Sequence, residues 1–342
     1  MKKYGKLIAL SILAILILWF FGRNLDWGLV LASLRKARAG YIIIATLVIC
    51  LGYLLRAIRW QVLLAPITPS SIWDLFATTT VGFTAVFFVG RMGEIVRPVW
   101  LPMLDKRVRP AAALVTIGVE RIFDLASLIC FFAVNLIWFT PPAGRVGELD
   151  AIKLMGYSML LGTAIGFIGL YIYRLYSAPI ISWFDRFMSH PRFPKQVRRI
   201  LLSLMKQLAT SLEVLTDWRE ILSITFWTIL LWVSIAIPTW FVMLAFDLPL
   251  NFSDALFVMG FAAVGSVVPT PGGAAGAFHA ATANGLIFLN TPKETAFAVS
   301  IVMHLVYFAP AVAFGLYYFI RGELSFAGFR EMLSANPTAE EG

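Results

Sequence analysis

The sequence predicts an all-α polytopic membrane protein, with about six transmembrane helices plus two re-entrant helical hairpins in an inverted-repeat arrangement. Three observations carry that prediction. Of the 342 residues 60% are hydrophobic, with a mean hydropathy of +0.82, which is the composition of an integral membrane protein. Two long apolar runs are interrupted by helix breakers, GRMG at 90–93 and PTPGG at 269–273. Ionisable residues also stand inside apolar segments, where they are costly and mark pathways or paired sites.

The first span is read over 5–22. Lys2, Lys3 and Lys6 precede it as in a signal peptide, but Gly22, Arg23 and Asn24 offer no small-residue cleavage site, so it is kept as a span. Leu29, Val30 and Leu34 then suit a short interfacial helix. The second span, 40–64, carries Arg56, Arg59 and Trp60 near its end and stops at the Pro66–Pro69 break. Residues 71–104 read as the first re-entrant hairpin. Gly90 and Gly93 break it, and Arg91, Glu94 and Arg97 recur at intervals of three. The third span, 111–139, holds Glu120, Arg121 and Asp124. A loop with Pro141 and Pro142 leads to the fourth span, 153–176. The stretch 177–219 is basic, with Leu201, Leu204, Leu208, Leu212 and Leu215 at helical spacing, and reads as an amphipathic cytoplasmic helix. The fifth span is 220–246, the second hairpin 253–290 and the sixth span 295–320, before a polar tail at 330–342.

The second hairpin is the segment around which the chain is organised. Pro269 and Pro271 each lack an N–H and clash with the preceding turn, and Gly272 and Gly273 add the largest helix penalty after proline. In lipid, such backbone is tolerated only where protein buries it or water reaches it. At ~1.5 Å per residue, Ala255 to Val268 spans roughly 20 Å, to mid-bilayer. A helix restarting near Gly272 then aims N–H groups into the membrane interior, an arrangement suited to a phosphate or carboxylate. The plainer reading is a kinked spanning helix, for which PTPGG is too disruptive.

On this reading one membrane domain divides into half-repeats, 1–139 and 153–322. Each has the order span, span, hairpin, span, in opposite orientations, as in transporters that alternate access. Sixteen Lys and Arg fall on the side of the N-terminus, 105–110, 174–219 and the C-terminus, against seven in the opposite loops. Both termini are therefore expected in the cytoplasm.

The net charge of +9 fits this bias and attraction to anionic lipid. The basic residues lie between membrane segments, which argues against a nucleic-acid partner. Cys50 and Cys130 fall in apolar runs and indicate no disulfide framework. Metalloprotease, nucleophile-elbow, Walker and dinucleotide motifs are missing, so neither an enzyme nor a cofactor is expected.

The candidate headgroup-binding residues are Arg91, Glu94, Arg97, Glu120, Arg121, Asp124, Thr270, Pro271, Gly272, Gly273, His279 and His304, with Arg56 and Arg59 secondary. Arginine forks match phosphate bidentately. Glu120 and Asp124, at i and i+4, share a face and either orient a headgroup or hold other arginines. Local ion pairing, or snorkelling for Arg56, Arg59, Arg91 and Arg97, is the structural alternative. His279 and His304 suit proton relay or satisfied core positions, and two histidines without a further ligand argue against a metal.

Four motifs in order resemble the lysylphosphatidylglycerol synthase transmembrane-region, or flippase-like, family: LLRAIRW at 54–60, GRMGEIVRP at 90–98, ERIFD at 120–124 and PTPGGAAGAFH at 269–279. The resemblance covers nearly the whole chain. It implies a lipid-translocating domain, here in a stand-alone form without the soluble aminoacyl-transferase domain of some relatives. Bacterial inner-membrane placement, a membrane lipid as partner and neighbouring lipid-synthesis enzymes follow as expectations. The lipid classes implied are phospholipid, polyprenyl phosphate, glycolipid and hopanoid. His279 and His304 stand where relatives often carry Glu and Arg, which implies pH dependence. The alternative is a membrane enzyme or a non-catalytic scaffold in lipid or lipid-linked glycan synthesis.

Overall fold

The computed structural model describes residues 25–189, 195–211 and 218–321, with 12, 19 and 23. The predicted first span, His190, Leu212, Leu215 and the polar tail lie outside the described residues, apart from those isolated positions. All regular structure described is helical. Among the described residues five helices are long and apolar enough to cross a membrane: Ala39–Leu64, Ile72–Val89, Gly147–Leu175, Ile221–Ala245 and Lys293–Arg321.

α1 (Trp27–Lys36) is capped by Asp26, whose Oδ1 accepts from the N–H groups of Gly28 and Leu29 at 2.8 and 3.2 Å. A cap of this kind contributes about 1 kcal/mol. α1 packs on the start of α12, with Trp27 edge-on to Phe297 at 5.8 Å. α2 (Ala39–Leu64) lies against α9 (Trp218–Ala245), where Gly52 leaves room for the Ser234 side chain.

The first hairpin consists of α3 (Ile72–Val89), a 3₁₀ turn over Gly90–Ile95 and α4 (Val96–Leu104). Gly90 makes the break at φ +69°, a left-handed conformation that glycine adopts without strain. The turn then folds directly onto α3. A Cβ on Gly93 would lie 2.3 Å from the backbone of Ala85 and Val86, and one on Gly82 would lie 2.3 Å from the Arg97 side chain. At the base, Ser70 donates to Asp105 at 3.0 Å and Arg107 donates to the Pro69 carbonyl at 3.0 Å. The hairpin therefore leaves where it enters. Its first arm, at 18 residues, is itself long enough to cross.

α5 (Pro110–Trp138) and α6 (Val146–Leu175) follow. α6 starts seven residues before the predicted boundary at 153, so the loop before it is shorter than expected. The expected single amphipathic helix over 177–219 is instead two, α7 (Ser177–Met188) and α8 (Lys195–Ser211). α7 ends at Met188, with Ser189 in a turn, and Pro191 and Pro194 follow in the sequence, residues that cannot continue a helix. An Arg198–Asp185 ion pair at 2.7 Å joins the two, and α8 packs on α5.

The second hairpin is α10 (Phe252–Ser266) and α11 (Pro271–Phe288), followed by α12 (Lys293–Arg321). Gly265 packs on the Ala277 carbonyl and Ala281, and Gly285 packs on Phe261, so the arms are antiparallel. α12 is the common rail for both hairpins. Phe76 meets Phe314 and Tyr318, Thr84 donates to the Ala311 carbonyl, and Phe87 lies 5.8 Å from Phe308. On the other hairpin Gly273 abuts Phe308, Phe278 meets His304, and His279 meets Phe297. The base of the first hairpin thus lies at the C-terminal end of α12 and that of the second at the N-terminal end. Their tips touch midway, with the Thr270 carbonyl 3.0 Å from where a Gly90 Cβ would stand.

Candidate functional site

The middle of α5 carries Glu120, Arg121 and Asp124 because its neighbours supply matching charge. Arg97, at the start of α4, donates to Glu120 Oε1 and Oε2 at 2.9 and 3.0 Å. This is a bidentate pair, the strong form of a guanidinium–carboxylate contact. The guanidinium also lies 4.2 Å from the centre of the Trp60 ring, and Trp60 is held by its indole N–H on Thr116. Arg59, in the last turns of α2, donates to Asp124 at 2.6 Å and lies 3.5 Å from Glu120. Arg59 and Glu120 are fully buried and Arg97 is 1% exposed. These residues form a closed ionic base. A buried pair of this kind is strongly destabilising to break, because the remaining charge is stranded.

Arg121 differs from Arg59 and Arg97. Its side chain is 32% exposed, and its contacts are long: 3.3 Å to Glu120, 3.4 Å to Asp124 and 3.9 Å to Glu94. Arg91 pairs with Glu94 at 3.3 Å and donates to the Ser266 carbonyl at 3.0 Å, joining the first hairpin's turn to the second hairpin. Arg91, Glu94 and Arg121 make a half-open rim over the base. Arg56 is the remaining cation. Among the described residues no carboxylate comes within 4.0 Å of it, and its guanidinium lies 4.9 Å from the centre of the Phe83 ring. The Arg121 guanidinium lies 6.0 Å from that same ring.

The structure thus brings eight of the sequence-predicted residues into one cluster. Among the described residues the cluster holds five guanidiniums, Arg56, Arg59, Arg91, Arg97 and Arg121, against three carboxylates, Glu94, Glu120 and Asp124, leaving two positive charges in surplus.

The elbow residues form the facing wall. Gly272, Gly273 and Ala274 all have positive φ, at 75, 62 and 63°. The expectation that helical N–H groups begin near Gly272 is corrected here: three successive left-handed residues delay the regular helix until after Ala274. Pro271 opens this turn, and among the described residues the buried Thr270 hydroxyl has no partner. His304 Nε2 lies 3.2 Å from the Gly273 carbonyl oxygen and staples the elbow to α12. The His279 and His304 rings are 4.8 Å apart, among Phe87, Phe278, Phe297 and Phe308. The histidines belong to this aromatic box, and among the described residues neither forms a hydrogen bond or ring contact with the arginine cluster. Among the described residues no three His, Cys, Asp or Glu side chains gather as a metal site.

Sequence reasoning noted Trp60 without giving it a role in the site, and missed Phe83, Tyr53 and Trp232. Trp60 adjoins Arg59 in the LLRAIRW motif, a signal that could have marked it as a cation partner. The other three sit in ordinary apolar runs.

Residues 6–315 match the family described as Lysylphosphatidylglycerol synthase TM region. A UPF0104 membrane protein of Pyrococcus horikoshii is 23% identical over 325 residues, covering 89% of this chain and 91% of the relative.

Proposed function

The chain belongs to the lysylphosphatidylglycerol synthase TM region family, and from that premise we propose that it moves an anionic or polar-headed lipid between membrane leaflets. The observation that carries the reading is the charge surplus: among the described residues five guanidiniums stand against three carboxylates, with Arg56 unpaired and Arg121 half-open. Buried charge of one sign is costly unless something neutralises it. An anionic headgroup does so, while its tail remains in lipid. The protein acts as a transporter and not an enzyme, and uses no cofactor.

The two hairpins supply the gate. The packing pairs match when the halves are exchanged: α2–α3 with α9–α10, α4–α5 with α11–α12, and α5–α10 with α12–α3. That matching, with hairpins approaching from opposite ends, supports an inverted repeat in which one half rocks against the other. Parting of the Gly90–Thr270 and Arg91–Ser266 contacts opens the path from one side. We place the protein in the bacterial inner membrane with both termini cytoplasmic, near enzymes that make its lipid.

The test is lipid movement in proteoliposomes, comparing an anionic phospholipid, a polyprenyl phosphate and a zwitterionic control. Wild-type protein should move an anionic lipid selectively. Arg121→Ala should lose that movement while keeping its melting temperature within a few degrees. Equal movement by Arg121→Ala, or by wild type of all three lipids alike, overturns the reading.

A further inference from the structure

Beside the ionic base lies a cavity of about 180 Å³ between α2, α3, α9, the second hairpin and α12. It exceeds the roughly 150 Å³ that accommodates a benzene ring in an engineered core. Tyr53, Phe83, Trp232, Phe278, Tyr307 and Phe308 make its aromatic wall, and among the described residues no carboxylate lines it. Among the described residues its one charged lining residue is Arg56, the cation without an acceptor.

The remaining polar groups in the wall decide what the cavity accepts. The Tyr53 hydroxyl donates to the Tyr307 carbonyl at 2.8 Å, the Ser266 hydroxyl donates to the Ala263 carbonyl at 2.7 Å, and the Tyr307 hydroxyl is engaged by Thr239 and Ile235. The buried Trp232 indole N–H has no acceptor. Among the described residues the unspent groups are thus donors, the Arg56 guanidinium and the Trp232 N–H. Such a wall rejects a cation and suits a group rich in acceptor oxygens.

We infer that this cavity is a binding site for a phosphate monoester on an apolar chain, with Arg56 holding the phosphate and the aromatic wall taking the first carbons of the chain. The inference rests on the proposed lipid translocation and names its substrate class. The charge count selects the monoester. A phosphate monoester carries −1.5 to −2 at neutral pH, which neutralises the surplus of two, whereas a diester carries one charge and leaves the site positive. The Phe83 ring of the cavity wall lies 4.9 Å from the Arg56 guanidinium and 6.0 Å from that of Arg121, so the half-open rim adjoins the cavity.

The test is equilibrium binding to the full-length protein in detergent, with four probes: farnesyl phosphate, its methyl diester, farnesol and inorganic phosphate. Farnesyl phosphate should bind at least tenfold tighter than each of the others. Arg56→Gln should weaken it at least tenfold with a melting temperature at or above wild type, because an uncompensated charge has been removed. Ala263→Leu, which fills the cavity and leaves every charge in place, should weaken it as much. Equal affinity for monoester and diester, unchanged binding by either variant, or inorganic phosphate binding as tightly as the lipid each overturns the site. The two readings fail separately. Arg56-dependent binding without any lipid movement in proteoliposomes keeps the site and removes translocation. Lipid movement that survives Arg56→Gln keeps translocation and removes the site.

Discussion

Glu120→Gln tests the ionic base directly. The carboxylate is fully buried; it takes both arms of Arg97 at 2.9 and 3.0 Å, Arg121 at 3.3 Å, and lies 3.5 Å from Arg59. Glutamine keeps the shape but offers one acceptor oxygen and turns an NH₂ toward a guanidinium that can only donate. The positive surplus rises from two to three around a position that is 0% exposed. Removing one partner of a buried pair costs about 3–5 kcal/mol. At roughly 2 °C per kcal/mol for a chain of this size, the melting temperature should fall by about 6–10 °C. The assay is thermal unfolding in detergent, followed by tryptophan fluorescence. The second arm is Arg97→Leu combined with Glu120→Gln, which removes both members. Its loss should be smaller than the sum of the single losses by at least about 1 kcal/mol, the signature of coupled groups. A melting temperature within 2 °C of wild type for Glu120→Gln, or strict additivity in the double variant, refutes the reasoning.

Three further outcomes follow from backbone and loop geometry. Gly93→Ala places a methyl 2.3 Å from the Ala85 and Val86 backbone, so it should destabilise by about 1–3 kcal/mol in the same unfolding assay. Neighbouring elbow changes should have opposite signs: Gly273→Ala should destabilise, since φ is +62° and the Phe308 ring is 2.7 Å from the new Cβ, whereas Ala274→Gly should gain up to about 1 kcal/mol by relieving a left-handed alanine. Asp105, in the loop after α4, is held down to about 2 by its bonds from Arg107, with the Ser70 hydroxyl assisting. Its folded value lies below its unfolded one, so its contribution is present above pH 4 and lost as pH falls toward 2. Melting temperature measured across that window should drop in wild type and stay flatter in Asp105→Asn.

The sequence made both breaks legible, because PTPGG and GRMG violate helix chemistry wherever they stand. It also exposed the cluster, since charges in apolar runs are few enough to notice. It could not assign partners. Arg56 and Arg59 are three residues apart on one helix and look equivalent, yet Arg59 is spent on Asp124 and Arg56 faces a cavity. That difference depends on where α5 and α9 cross α2, which no local pattern encodes. The same limit hid the delayed start of α11: glycines announce freedom, but the left-handed Ala274 beside them is set by what packs around the elbow. Leucine spacing over 201–215 suggested an amphipathic helix for all of 177–219, but that spacing carries no information on the residues before 201, where Pro191 and Pro194 stand.

The ionic base also dictates an order of biogenesis. A charged residue at mid-span costs roughly 2.5–3.5 kcal/mol on entering the bilayer, and α5 brings three. It gains its compensation from Arg59 and Arg97, which are translated earlier. Every member of the cluster, from Arg56 to Asp124, lies in the first half of the polypeptide. A ribosome that has just finished α5 has therefore already delivered all the charges the base needs. The second half then inserts against a partner whose electrostatics are complete, and contributes the elbow, the histidines and the remaining walls of the cavity.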